Sequence, residues 1–160
     1  MAETDKGEAK PRRAATISSC WILTDGKAGD LAQCLGLAHA LDLEPEIRTV
    51  APRRPWVWAM PFGPIDPRDR PRRAASPITP PFPDLAIASG RRTVAYLRAI
   101  KKASRGKTFT VFLKDPRRGR SAADFVWVQE HDRLRGPNVM ATLTAPHDIS
   151  ATRLAGARTA

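Results

Sequence analysis

Ile17-Ser18-Ser19-Cys20-Trp21-Ile22-Leu23-Thr24-Asp25-Gly26-Lys27-Ala28-Gly29-Asp30-Leu31 is the stretch on which the fold turns. Ile17 to Leu23 is a short apolar run that stops at Thr24-Asp25-Gly26, and a run of that length ended by a turn signal reads as a buried strand. Beyond the loop, Leu31, Cys34, Leu35, Ala38 and Leu41 recur at helical spacing. Glu46 to Val50 then alternates as a second strand, closed by Ala51-Pro52. Strand, glycine-bearing loop, helix and strand make one β-α-β unit, whose strands run parallel.

The same grammar continues toward the C-terminus. Leu85 to Ala88 reads as a strand, Ser89-Gly90-Arg91-Arg92-Thr93 as a loop, and Thr93 to Ser104 as a helix turning Val94, Leu97 and either Ile100 or Ala99 inward. Thr108 to Leu113, Asp124 to Val128 and Val139 to Leu143 read as further strands. Apolar runs meant to be buried on both faces imply a parallel sheet. The expectation is therefore an α/β fold, a Rossmann-like parallel sheet flanked by helices, over residues 17–150. Residues 52–83 interrupt it with ten of the fifteen prolines, a density that excludes any helix or central strand and predicts an extended excursion. Residues 1–16 are polar, aperiodic and free of any apolar core segment, which predicts a disordered tail and no secretory signal.

The totals narrow the function classes. A chain of 160 residues suits one folded unit, and no apolar run approaches the length of a membrane span. Cys20 and Cys34 have neither metal-ligand nor disulfide-framework spacing and read as reduced, buried residues, so a cytoplasmic protein is expected. A net charge of +11 favours an anionic partner. Eleven basic residues fall between Arg91 and Arg120, against the single acid Asp115. Nucleic acid is the least favoured anion, because neither a recognition fold nor aromatic interleaving accompanies the charge.

In a parallel sheet the loops after the strands' C-terminal ends share one edge, and ligands bind there. That edge should present Asp25, Lys27 and Asp30, then Ser89, Arg91 and Arg92, then Asp115, Arg117 and Arg118, then His131 and Asp132, with His147 beyond. Gly90, opening toward a helix start, pairs a flexible backbone with the N–H groups and positive dipole end that favour an anion. The anion or acceptor candidates are Lys27, Ser89, Gly90, Arg91, Arg92 and Arg117; the same glycine also suits simple helix–sheet packing. Asp25, His131 and Asp132 are the candidate acid–base residues, and His131-Asp132 serves equally as a turn cap. Trp56, Trp58, Met60 and Phe62 beside Arg53 and Arg54 have the composition of a membrane-facing patch, or of side chains packed onto the domain's own core.

Named motifs fail when read letter by letter. Gly26 to Gly29 lacks the G-x-G-x-x-G order. Gly106-Lys107-Thr108 ends like a phosphate-binding P-loop, but Lys101 stands where its first glycine belongs, and the triplet precedes a strand. His39, His131 and His147 lack metal-ligand spacing, no nucleophile elbow is present, and no metal or cofactor is expected.

Trp21 to Gly29 with Gln33 and Gly36, Pro83 to Arg92, Lys114 to Arg117, and Glu130-His131-Asp132 before Gly136-Pro137-Asn138-Val139 together resemble the bacterial relatives of the plant mitochondrial fission factor called elongated mitochondria. That resemblance runs from Trp21 to about Ser150. It implies the N-terminal half of a GT-B-like fold, two Rossmann-like halves with a cleft between them, in which the first half mainly binds the acceptor. Residues 151–160 would then lead into a second half, and the chain alone is expected to be inactive, with glycosyltransferase-like activity only if that half is restored. The partners implied are a phosphorylated or lipid-linked acceptor and, through the second half, a nucleotide sugar, at the cytoplasmic face of a membrane. The same resemblance also implies a different role, a membrane-surface adaptor without turnover.

Overall fold

The computed structural model describes residues 16–144. The expected tail, His147 and the expected lead into a second half lie wholly or almost wholly outside them. Six strands form one parallel sheet: β1 (Cys20–Thr24), β2 (Glu46–Thr49), β3 (Leu85–Ser89), β4 (Phe109–Leu113), β5 (Phe125–Gln129) and β6 (Val139–Thr142). Their spatial order is β2-β1-β3-β4-β5-β6, every pair parallel. Helices α1 (Ala28–Ala40) and α2 (Val94–Ala103) follow β1 and β3.

Alternation along the central strands divides the core into two layers. Cys20 and Ile22 of β1, Leu85 and Ile87 of β3, and Val111 and Leu113 of β4 face α1, where Cys34 and Ala38 meet them. Trp21, Leu23, Ala86, Ala88 and Phe112 face the other way, onto Val94, Tyr96, Leu97 and Ile100 of α2. Ala86 and Ala88 are small, so α2 can approach β3 closely. Burial of β1 and β3 is complete along their length, whereas β5 alternates between buried and half-buried residues and β2 is largely exposed. The expectation of strands buried on both faces thus holds at the centre of the sheet and relaxes toward its margins.

Most element ends differ from expectation by a residue or so, and two differ for identifiable reasons. Ile17 to Ser19 do not join β1: the Ser18 N–H and hydroxyl and the Ser19 N–H and hydroxyl all donate to Asp84 Oδ2, at 2.7–3.1 Å. The Ser18 hydroxyl and N–H, with the Ser19 hydroxyl, hold the Asp84 carboxyl down at about 2. Helix α1 starts at Ala28, three residues before its first leucine, because apolar spacing marks only the face that is buried.

Residues 52–83 pass over the α2 face of the sheet. They contain two single-turn 3-10 helices, Trp56–Ala59 and Pro67–Asp69, the second with proline at its start, where a missing N–H costs nothing. Contrary to the expectation of no helix, the proline density permits one-turn helices. Three ties hold the segment down. Met60 and Ile78 enter the core beside Val50. Asp66 is buried under Arg53, whose Nε and Nη2 donate to its two oxygens at 2.7 Å. The Tyr96 hydroxyl donates to the Asp69 carboxylate, and burial together with that carboxylate pushes the phenol far above its ordinary range.

Candidate functional site

Strands β2 and β3 lie on opposite sides of β1, so the chain leaves the first strand toward one edge and later returns on the other. At such a switch point the loops after the two strands diverge and leave a crevice at their C-terminal ends. Here the diverging loops are Asp25–Lys27 after β1 and Gly90–Thr93 after β3. A cavity of about 580 Å³ opens between them, and Phe112, Lys114 and Pro116 extend its wall along β4.

Buried carboxylates line this cavity. The Asp25 side chain is 1% exposed and lies 3.8 Å from Lys27 Nζ, yet neither of its oxygens accepts a hydrogen bond. A buried polar atom without a partner is costly, on the order of 1–3 kcal/mol, and in a cavity wall it identifies where a donor from a ligand or water would bind. Asp30, in the first turn of α1, is also buried but accepts from the ammonium of Lys114. Its negative charge complements the helix's positive end.

Between the two carboxylates sits Gly90, at φ 97°. A Cβ built there would lie 3.1 Å from Asp30 Oδ2 and 3.4 Å from Asp25 Oδ1. Glycine is therefore required twice, for the backbone turn and for the space. Lys114 adopts φ 77° and Arg117 φ 55°, left-handed conformations that cost about 1–3 kcal/mol in a residue with a side chain and tend to collect at functional loops. The Asp115 carboxylate accepts the Arg117 N–H at 2.8 Å and closes that turn.

Exposed cations complete the cavity lining. Arg91, Arg92 and Arg117 line the cavity and are exposed, and among the described residues none of them is in an ion pair with a carboxylate. The cavity thus offers unpaired guanidinium donors and an unpartnered buried acceptor. An anion suits the first, and a hydroxyl or ammonium suits the second.

The structure brings Lys27, Gly90, Arg91, Arg92 and Arg117 together around this cavity with Asp25 and Asp132. Ser89 does not join them: it is wholly buried, and its hydroxyl donates to the Leu113 carbonyl at 3.3 Å. Asp132 accepts the Gln129 N–H at 3.1 Å, closing the turn after β5. His131 is exposed, stands 3.8 Å from Asp132, and is not part of the cavity wall. The four aromatic and sulfur candidates separate. Met60 is 3% exposed and belongs to the core, so it cannot face a membrane, and Trp56 is half-buried. Trp58 and Phe62 remain, 69% and 62% exposed, under the guanidinium groups of Arg54 and Arg118 at 5.5 and 5.8 Å.

Lys114 lines the cavity although it is not among the binding candidates read from the sequence. Its place directly after the buried strand Phe109–Leu113 was the available signal. Among the described residues no group of three or more His, Cys, Asp or Glu side chains could hold a metal ion, and no helix is long and apolar enough to cross a membrane.

A parallel sheet wound on both faces, with a polar cavity at its switch point, defines a Rossmann-like α/β protein with a candidate ligand site at the strands' C-terminal ends. More specifically, the chain belongs to the mitochondrial fission ELM1 family, whose profile matches residues 28–160. Comparison with curated proteins and with solved structures gave no match.

Proposed function

We propose that this domain is the acceptor-binding part of a GT-B-like, glycosyltransferase-related protein, and that its acceptor is phosphorylated or lipid-linked. The observation that carries the reading is that Arg91, Arg92 and Arg117 share one cavity with buried Asp25, whose oxygens accept no hydrogen bond. A phosphate binds the guanidinium groups in bidentate fashion, and a hydroxyl of the same molecule donates to Asp25. A carboxylate so placed orients that hydroxyl and can take its proton as a bond forms at the oxygen. Lys27 and Lys114 moderate the charge of the two carboxylates. In this reading the cavity is one wall of a cleft, and a nucleotide sugar would be held by a second, facing domain.

The exposed aromatic pair supports a lipid-linked acceptor over a soluble one. Arg118 follows the cavity residue Arg117 in sequence, and its Nη1 donates to the Phe62 carbonyl at 3.1 Å, which ties Phe62 to the loop that carries Arg117. Aromatic rings under guanidinium groups suit an acyl–headgroup boundary. The same pair favours a second reading, a membrane-surface adaptor that binds without turnover. Binding of farnesyl phosphate, a short prenyl phosphate, to wild type and to Arg91→Ala/Arg92→Ala tests the first reading: weaker binding by the variant supports it, and equal binding removes it.

A further inference from the structure

A second basic recess lies at the other end of the sheet. Pro80 and Phe82 come just before β3, and Lys102 and Arg105 lie where α2 ends and the chain turns back toward β4, so this recess is at the strands' N-terminal ends. Its volume is about 930 Å³. Arg70, Arg72 and Arg73 form one wall and Lys102 and Arg105 the other, with Ile65 and Phe82 between them.

All five cations are exposed, and no carboxylate lines the recess. Among the described residues none of the five is in an ion pair, whereas neighbouring cations are neutralised: Arg53 by Asp66 and Lys101 by Asp124, each at 2.7 Å. The wall that carries the arginines is held in place. Ser76 Oγ donates to the Asp69 carbonyl at 2.7 Å, and Thr79 Oγ1 donates to the carbonyls of Arg73 and Ser76, each at 2.9 Å. Like charges gathered on a fixed backbone repel one another. An anion bound among them removes that repulsion.

We infer that this recess binds a small soluble oligophosphate, an anion with two or more phosphoryl groups. Four of the five cations are arginines, the side chain that best matches phosphate oxygens. The recess is lined from two separate segments, 70–73 and the end of α2, which suits a compact anion held between them. Ile65 and Phe82 leave room for an apolar portion of the ligand. The site is separate from the cavity at the switch point and does not depend on the function proposed for it.

Calorimetric titration of the full chain with pyrophosphate, combined with thermal melts, tests the inference. Wild type should bind and melt a few degrees higher with saturating pyrophosphate. Arg72→Ala/Arg105→Ala should weaken binding at this recess by about tenfold or more and reduce the shift, while Arg91→Ala/Arg92→Ala keeps a site of wild-type affinity. Both pairs are exposed, so both variants should fold. Unchanged affinity in Arg72→Ala/Arg105→Ala, or loss confined to Arg91→Ala/Arg92→Ala, overturns the assignment. So does an Arg72→Ala/Arg105→Ala variant that loses sedimentation with phosphatidylserine vesicles while still binding pyrophosphate.

Discussion

The ammonium of Lys114, at the end of β4, pairs with the carboxylate of Asp30 in the first turn of α1. Strand β3 lies between β4 and β1, so this ion pair reaches over the loop that follows β3 and ties both sides of the cavity together. Asp30 is 8% exposed at its side chain and Lys114 44%, so solvent screens one partner and limits what the pair contributes. A double-mutant cycle with Asp30→Asn and Lys114→Met should give a coupling of about 1 kcal/mol or less in urea unfolding. A coupling near zero would show that the pair shapes the cavity without stabilising the fold.

Gly90 is the position least tolerant of change. Gly90→Ala forces a side chain into a left-handed backbone and toward two carboxylates. It should cost about 1–3 kcal/mol of stability, read as a lower urea midpoint, and should also weaken anion binding. Unaltered stability would mean that the loop relaxes away from Asp25 and Asp30.

Residues 56–62 make opposite contributions to fold and surface. Met60→Ala should destabilise by about 2–5 kcal/mol, because it empties a core position. Trp58→Ser/Phe62→Ser should stay within about 1 kcal/mol of wild type yet reduce co-sedimentation with anionic liposomes. Equal sedimentation of wild type and this double variant would remove the membrane reading, whatever the stability.

Acid and alkali should each weaken the fold. The hydrogen bonds from Arg53, opposed by burial and aided by the Arg68 and Arg53 N–H groups, hold Asp66 at about 2 against an ordinary 3.8. Burial raises Asp124, but hydrogen bonds from Lys101 and Thr110 outweigh it and leave the group lowered. A carboxylate lowered on folding contributes its stability above its unfolded value and loses it as pH falls, so the urea midpoint should drop as pH falls through 3.8 toward about 2. Burial raises Cys20 from 9.0 to about 11, and burial with Asp30 raises Cys34 to about 12. Their contribution is complete below the ordinary thiol value and is lost as pH rises from 9 toward 11–12. In native protein at pH 8 both thiols should resist iodoacetamide, with labelling appearing only in denaturant. Rapid labelling of either thiol in the native state would contradict that burial.

The sheet was legible in the sequence because its central strands are short, buried on both faces and followed by glycine-bearing loops. Leu85 to Ser89 and Cys20 to Thr24 carry that signal in full. Most of the cavity lining was legible too, since a parallel sheet places every strand-end loop on one edge. What single residues do there was less so. Ser89 has the chemistry of a phosphate ligand but is the last residue of a buried strand, and its hydroxyl is taken by Leu113. Met60 has the composition of a surface patch but turns inward with Ile78. Both outcomes depend on three-dimensional neighbours far apart in sequence. So does the basic recess, whose two walls are separated by the whole of β3 and most of α2.

The proposed role of the switch-point cavity is to bind a phosphorylated acceptor through Arg91 and Arg92. Calorimetric titration of farnesyl phosphate into wild type and into Arg91→Ala/Arg92→Ala tests it most directly. The expected result is a dissociation constant raised by about tenfold or more in the variant, with its melting temperature unchanged. An unchanged dissociation constant in a folded variant would contradict the account and place the acceptor elsewhere.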